Sequence, residues 1–141
     1  MSQLLPYYLG PEVYALELLA VQEVVEDQRI YPLPGGAAAL AGAISFHGRI
    51  VPVVDLPLLL GFPAGKRAER IIVLTDEHGP TGLAVDQLQR IVTLDLQHRA
   101  LSQSDSENDC ISGVIDLQGR MFSLLDLHQL RLLLERLCSG G

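Results

Sequence analysis

The feature that most constrains this chain is a segment of hairpin length that occurs twice. Residues Leu40–Leu56 read LAGAISFHGRIVPVVDL and residues Ile111–Leu127 read ISGVIDLQGRMFSLLDL. At an offset of 71 residues they align without a gap. Gly42 falls on Gly113, Ile44 on Ile115, Gly48 on Gly119, Arg49 on Arg120, Asp55 on Asp126 and Leu56 on Leu127, and most remaining pairs keep apolar opposite apolar. A weaker repeat sets Ala15–Val25 (ALELLAVQEVV) against Gly82–Val92 (GLAVDQLQRIV) at an offset of 67, where Leu16, Gln22 and Val25 meet Leu83, Gln89 and Val92. The two repeats keep the same order at similar offsets, so the chain holds one unit of about seventy residues in two versions. Two copies are too few for a solenoid, which needs three or more units to bury a continuous core. Two small β-barrels packed side by side are the simpler solution, a first unit of about residues 8–66 and a second of about 67–137, with the chain free to cross between them.

The unit reads as β. Its apolar runs are short, rich in β-branched residues and bounded by turn residues. Tyr7–Leu9 and Val13–Glu17 flank Gly10-Pro11-Glu12; Arg70–Thr75 and Thr81–Val85 flank Asp76–Pro80; Ile111–Leu117 and Arg120–Asp126 flank Gln118-Gly119; Arg49–Asp55 is a further strand. In each repeated hairpin the tip reads x-Gly-Arg, His47-Gly48-Arg49 and Gln118-Gly119-Arg120. Gly48 and Gly119 supply the positive φ that a tight primed turn requires, which is a backbone need and no sign of catalysis. Asp55 and Asp126 stand at equivalent strand ends, where a carboxylate caps the next segment or binds turn amides. Helices are few. Leu130, Leu133, Leu134 and Leu137 recur at helical spacing and predict a helix over Leu127–Leu137, with Asp126 as its N-cap. Leu18–Glu23 and Asp86–Gln89 read as single helical turns or continued strand, and Ala37–Ala41 as a short helix after Pro34-Gly35-Gly36. Ser102–Asp109 (SQSDSEND) reads as a solvated loop, and Ser139-Gly140-Gly141 as a flexible tail.

Composition then removes function classes. A chain of 141 residues that is 48% hydrophobic buries one domain-sized core without staples. Its net charge of −7 disfavours nucleic acid and anionic membrane, both of which are gripped through Lys and Arg. Aromatic residues make up 5% of the chain and Trp is absent, which leaves little for a stacking platform. Cys110 and Cys138 stand far apart without a CxxC pair and read as reduced thiols. With no basic leader and no apolar run of about twenty residues, the expected location is the cytoplasm, without insertion into a membrane. Gly61–Lys66 departs from a phosphate loop, having three residues between its glycines, one of them Pro, and Arg67 after the lysine. His47, His78, His98 and His128 are scattered, so no metal spacing arises. Asp55 and Asp126 are the one carboxylate pair worth weighing as acid and base, and their repeat equivalence favours a structural role. No GxSxG motif and no activated Cys is present. The expectation is a non-enzymatic protein without cofactor or metal.

These segments resemble a family. LAGAISFHGRIVPVVDL is similar to the signature of CheW-like domains, a Gly, two residues, Asn-x-Arg-Gly, then a Pro-Val-x-Asp-Leu strand; Gly42, Gly48, Pro52, Val53, Asp55 and Leu56 match. Upstream, Tyr8-Leu9-Gly10, Tyr14-Ala15-Leu16 and Val21-Gln22-Glu23-Val24 resemble the family's opening strand pair and its Val-Gln-Glu-Ile segment. Downstream, Gly82–Asp86 resembles its Gly-Ile-x-Val-Asp strand, and the likeness runs from about Tyr8 to Leu134. It implies an all-β fold of two intertwined five-stranded SH3-like barrels, few short helices and a C-terminal helix. It also implies a coupling protein between the regulatory domain of a CheA-type histidine kinase and the cytoplasmic tip of a methyl-accepting chemoreceptor. On that reading Leu18, Val21, Glu23 and His47 line the receptor groove, while Tyr31, Leu33 and Pro34 face the kinase. Leu18 and Val21 are equally well read as core residues. The family's Asn and Arg before the turn glycine are replaced by Ser45 and His47, and Pro57 stands where a basic residue often follows Asp-Leu. Arg forms bidentate bonds that His cannot, so the departure also allows a divergent module of a non-flagellar system, for surface motility or biofilm control, that binds kinase or scaffold without standard receptor coupling.

Overall fold

A computed structural model describes residues 2–26, 28–32, 39–62, 70–75, 77, 81–94, 110–117 and 119–139. Among the described residues, eleven strands and two α-helices follow in order: β1 (Ser2–Leu9), β2 (Glu12–Glu17), β3 (Val21–Glu26), β4 (Leu40–Phe46), β5 (Arg49–Asp55), α1 (Leu56–Leu59), β6 (Arg70–Leu74), β7 (Gly82–Val85), β8 (Gln87–Leu88), β9 (Val92–Leu94), β10 (Ile111–Leu117), β11 (Arg120–Leu125) and α2 (Leu127–Ser139). One sheet runs β3-β6-β7-β5-β4 and forms a central barrel. The other runs β10-β11-β2-β1-β8, with β9 pairing farther along the same strand β1, and forms a terminal barrel.

The division is not linear. Strands on both sides of residue 66 enter each barrel, because the chain crosses twice. After β2 a 3-10 turn at Leu18–Ala20 carries it into the central barrel as β3, and after β7 a bend at Asp86 carries it back as β8. The units near 8–66 and 67–137 are thus sequence repeats, whereas the barrels exchange strands. Those two crossings are the weak repeat: β2-to-β3 and β7-to-β8 are the same device run in opposite directions. The parallel pairings obey the same offsets, Val53↔Gly82 in the central barrel and Leu124↔Ala15 in the terminal one.

Both faces of the inner strands are buried, which is why they read as near-continuous apolar runs rather than alternating ones. On β6, Ile71 and Val73 fill the central barrel while Ile72 and Leu74 turn to the seam between barrels. On β1, Leu4 points into the terminal barrel and Leu5 into the seam. The seam is the largest cluster, taking Tyr7, Leu9, Tyr14 and Leu16 from one barrel, Val54, Leu56, Leu83 and Val85 from the other, and Leu130 of α2. Within it Tyr7 and Tyr14 stack at 6.2 Å, and burial, with smaller contributions from Tyr14 and Cys110, pushes the Tyr7 phenol well above its ordinary pKa.

Local expectations are met unevenly. Leu40 and Ala41 are the start of β4, not the end of a short helix, because their apolar side chains pack against the two clusters. Leu18–Glu23 divides into a 3-10 turn and a strand, and Asp86–Gln89 into a bend and the short β8. On α2, Leu130 is buried and Leu133 and Leu134 half-buried; the side chain of Leu137 lies outside the described residues. The segment Ser102–Asp109 and the last two residues also lie outside them.

Candidate protein-docking site

The central barrel closes where its two edge strands meet. β3 and β4 lie at opposite ends of the sheet order, yet Glu23 Oε1 of β3 lies 3.4 Å from His47 Nε2 on the turn after β4. Below this contact the chain that follows β3 runs beside β4: Tyr31 and Ala43 exchange two backbone hydrogen bonds of 2.8 Å. This close approach requires Gly42. Its φ of +144° suits glycine, and a Cβ there would collide with the Tyr31 carbonyl oxygen and lie 2.7 Å from Ile30 Cγ2.

The β4–β5 turn places His47 at φ 48° and Gly48 at φ 77°, the two positive values of a type I′ hairpin. The His47 ring packs edge-on against Phe46 at 4.3 Å, which turns its nitrogen toward Glu23. Both partners are exposed, His47 at 67% and Glu23 at 48% of their side chains, so the pair stays available to a third group. Leu18 and Val21 are half-buried against the seam cluster, so each belongs partly to the core and partly to the surface.

One residue in this region escaped sequence reasoning. Leu19 is 91% exposed at the middle of the 3-10 turn. A signal was available, because in Leu18-Leu19-Ala20 a turn that buries Ala20 and half-buries Leu18 must send the middle residue outward. Ile50, 79% exposed on β5 and paired with Ser45, was hidden by the apolar run around it. Behind the 3-10 turn a cleft of about 280 Å³ lies between Glu17, Ala20, Ser112, Asp126 and His128.

Tyr31 is half exposed, with the Arg29 guanidinium 5.1 Å above its ring; Leu33 and Pro34 lie outside the described residues. Asp55 Oδ1 accepts the Leu58 N–H at 3.2 Å at the start of α1, and Asp126 Oδ1 accepts the Gln129 N–H at 3.1 Å at the start of α2. The backbone N–H groups of the same two residues donate to the carbonyls of Ala39 and Cys110, which again stand 71 residues apart. Gly119, at φ 82°, donates its N–H to Asp116 Oδ1. Among the described residues, no three His, Cys, Asp or Glu side chains gather where they could hold a metal ion. Among them too, no helix is long and apolar enough to cross a membrane.

The CheW-like domain model matches residues 3–133, both crossings and both hairpins included. The chain belongs to the CheW-like family. It is 30% identical to the chemotaxis protein CheW of Rhizobium meliloti over 89% of this chain and 84% of that one, and 25% identical to CheW of Thermotoga maritima over 91% and 86%. The crystal structure of the scaffolding protein CheW from Thermoanaerobacter tengcongensis superposes with a TM-score of 0.79 at 23% identity, covering 88% of each chain. The fold is therefore the CheW pair of SH3-like barrels. Within the matched span the central hairpin carries Ser45 and His47, and Pro57 sits in the first turn of α1, where proline's fixed φ is tolerated.

Proposed function

We propose that this chain is a non-enzymatic scaffold of a chemosensory system, working in the cytoplasm and linking the regulatory domain of a CheA-type histidine kinase to the cytoplasmic tip of a chemoreceptor. The observation that carries this reading is the barrel closure at Glu23 and His47. It brings Glu23 of the Val-Gln-Glu segment and His47 of the signature hairpin, which lie 24 residues apart, into one exposed contact, and Leu19 stands exposed in the turn that leads into the same strand. An exposed carboxylate with an exposed leucine on the turn before it suits a receptor helix, whose apolar stripe provides contact and whose polar residue sets register. The half-exposed Tyr31, on the chain that leaves β3, supports a kinase-facing role for the neighbouring edge.

Two binding measurements test the reading. The purified chain is titrated with a CheA-type regulatory domain and, separately, with a receptor tip fragment encoded near its gene. Binding to the kinase domain is expected, with Glu23→Lys weakening receptor capture at least tenfold and leaving kinase capture unchanged. No binding to either partner overturns the scaffold role.

A second reading has its own observation. His47 replaces a bidentate Arg with a single ring nitrogen on Glu23. That substitution favours a divergent module of a non-flagellar system that holds kinase or scaffold proteins without the standard receptor grip. Kinase binding without receptor binding, unrestored by His47→Arg, selects it.

A further inference from the structure

The terminal barrel carries a second open surface, on the opposite hairpin from the Glu23–His47 contact. Between the starts of β2 and β11 lies an open cleft of about 430 Å³, lined by Tyr8, Pro11, Glu12, Val13, Arg120, Met121 and Ser123. It exists because the parallel ladder of β11 with β2 pairs only Ser123↔Tyr14 and Leu124↔Ala15, so the first residues of both strands lie ahead of it. In the central barrel the corresponding ladder begins at the first residue of β7, Gly82, so only β5, through Arg49–Pro52, runs ahead of it.

Arg120 is held in place at this cleft. Its Nη2 donates to the Tyr8 hydroxyl at 3.2 Å, and its guanidinium carbon lies 5.6 Å over the ring of buried Phe122. A guanidinium has five N–H donors in a rigid fork, so the bond to Tyr8 and the Phe122 ring beneath restrict it while leaving donors for a carboxylate. Fixing it beforehand removes most of the side-chain entropy that an exposed arginine loses on pairing. Beside it stands Met121, 54% exposed, an adaptable apolar contact, with Pro11 and Val13 across the cleft. The one acid on the rim, Glu12, places Oε2 3.4 Å from the Tyr14 hydroxyl, which donates to it.

We propose that this cleft is a docking site for an extended, acidic segment of a protein partner. Arg120 takes a carboxylate in its fork, and Met121 and Val13 receive the neighbouring aliphatic side chain. The occupant is extended because the cleft lies between two strand starts, where alternate side chains of a third strand-like segment fall in and out.

The probes are two blocked hexapeptides, one alternating Asp and Val and its counterpart alternating Asn and Val, titrated into the full chain and followed by NMR at the Met121 methyl and the Arg120 side-chain N–H. The Asp peptide is expected to shift both signals saturably and to bind at least tenfold more tightly than the Asn peptide. Arg120→Gln should erase that preference, and Arg120→Lys should retain only part of it. Met121→Ser, which leaves the Arg120–Tyr8 contact in place, should weaken both peptides alike. Backbone amide spectra of the variants verify the fold. Equal binding of the two peptides, shifts confined to other surfaces, no binding at all, or an Asp preference that survives Arg120→Gln overturns the proposal.

Discussion

The hairpins β4–β5 and β10–β11 are one construction used twice and finished differently. Both carry a bulge at the same place, Leu40↔Val54 stepping to Gly42↔Val53 and Ile111↔Leu125 stepping to Gly113↔Leu124. Both end on an aspartate that caps the following helix. Both bury an isoleucine, Ile44 or Ile115, inside their own barrel at 1% exposure. At the tips they part. The first spends its turn on a histidine that reaches across to β3; the second folds its arginine back onto Tyr8 and Phe122. What repeats is what any such barrel needs to close. What differs is what each barrel shows to solvent, and there the two copies have become separate surfaces.

The largest effect comes from attacking the bulge of the first hairpin. Gly42→Ala places a Cβ against a backbone oxygen that is itself tied to Ala43, so neither side can give way cheaply. The expected loss is at least about 3 kcal/mol, measured by urea unfolding, and the variant is the one most prone to fail to fold. A loss under about 1 kcal/mol would show that the Tyr31 segment moves aside and that the closure at β4 is soft.

Next come the two equivalent isoleucines. Ile44→Ala and Ile115→Ala should each cost about 2–4 kcal/mol. Because the barrels exchange strands and share the seam, each variant is expected to shift one common transition, the same by near-ultraviolet and far-ultraviolet dichroism. Two separate transitions would mean that the barrels unfold independently and that the crossings transmit little.

The repeat made this much of the molecule legible in advance. Its offsets predicted paired barrels, the hairpins and the capping positions, because glycine at a primed turn and aspartate before a helix are local requirements written in single residues. The crossing of β3 and β8 was less legible. A strand that leaves for the neighbouring sheet looks like any other strand in its own sequence, and only partners such as Val24↔Ile72 or Tyr7↔Leu88 reveal the destination. The 4-residue helix α1 was invisible because LPLL has no room for a helical period. At the site, the sequence marks Glu23 and His47 singly and holds no sign of their contact, while Leu19 and the Arg120 cleft depend on which side of a turn faces out, which periodicity does not encode in so short a segment.

The caps offer a finer comparison. Asp55→Ala and Asp126→Ala each remove the acceptor of one helix N–H, at 3.2 and 3.1 Å, for an expected cost of about 1 kcal/mol each in denaturant unfolding. The two should add in the double variant, since they lie in different barrels. A much larger loss at Asp126 would sharpen the contrast, because α2 presses Leu130 into the seam whereas α1 is a single turn.

The smallest effect separates the turn as a structural device from the turn as a surface. His47 holds φ 48°, a conformation that costs a side-chain-bearing residue roughly 1 kcal/mol relative to glycine. Its packing on the buried Phe46 and its reach to Glu23 offset that cost, the second an exposed contact worth a few tenths of a kcal/mol. His47→Gly should therefore change unfolding stability by no more than about 0.5 kcal/mol in either direction, with the hairpin amide spectrum unchanged. Under the scaffold reading the same variant should still lose receptor-tip affinity, because Glu23 then has no ring to hold its carboxylate at the rim. A stable variant with weakened capture assigns His47 to recognition; a destabilised variant with unchanged capture assigns it to the turn, and the first hairpin would then differ from the second in decoration alone.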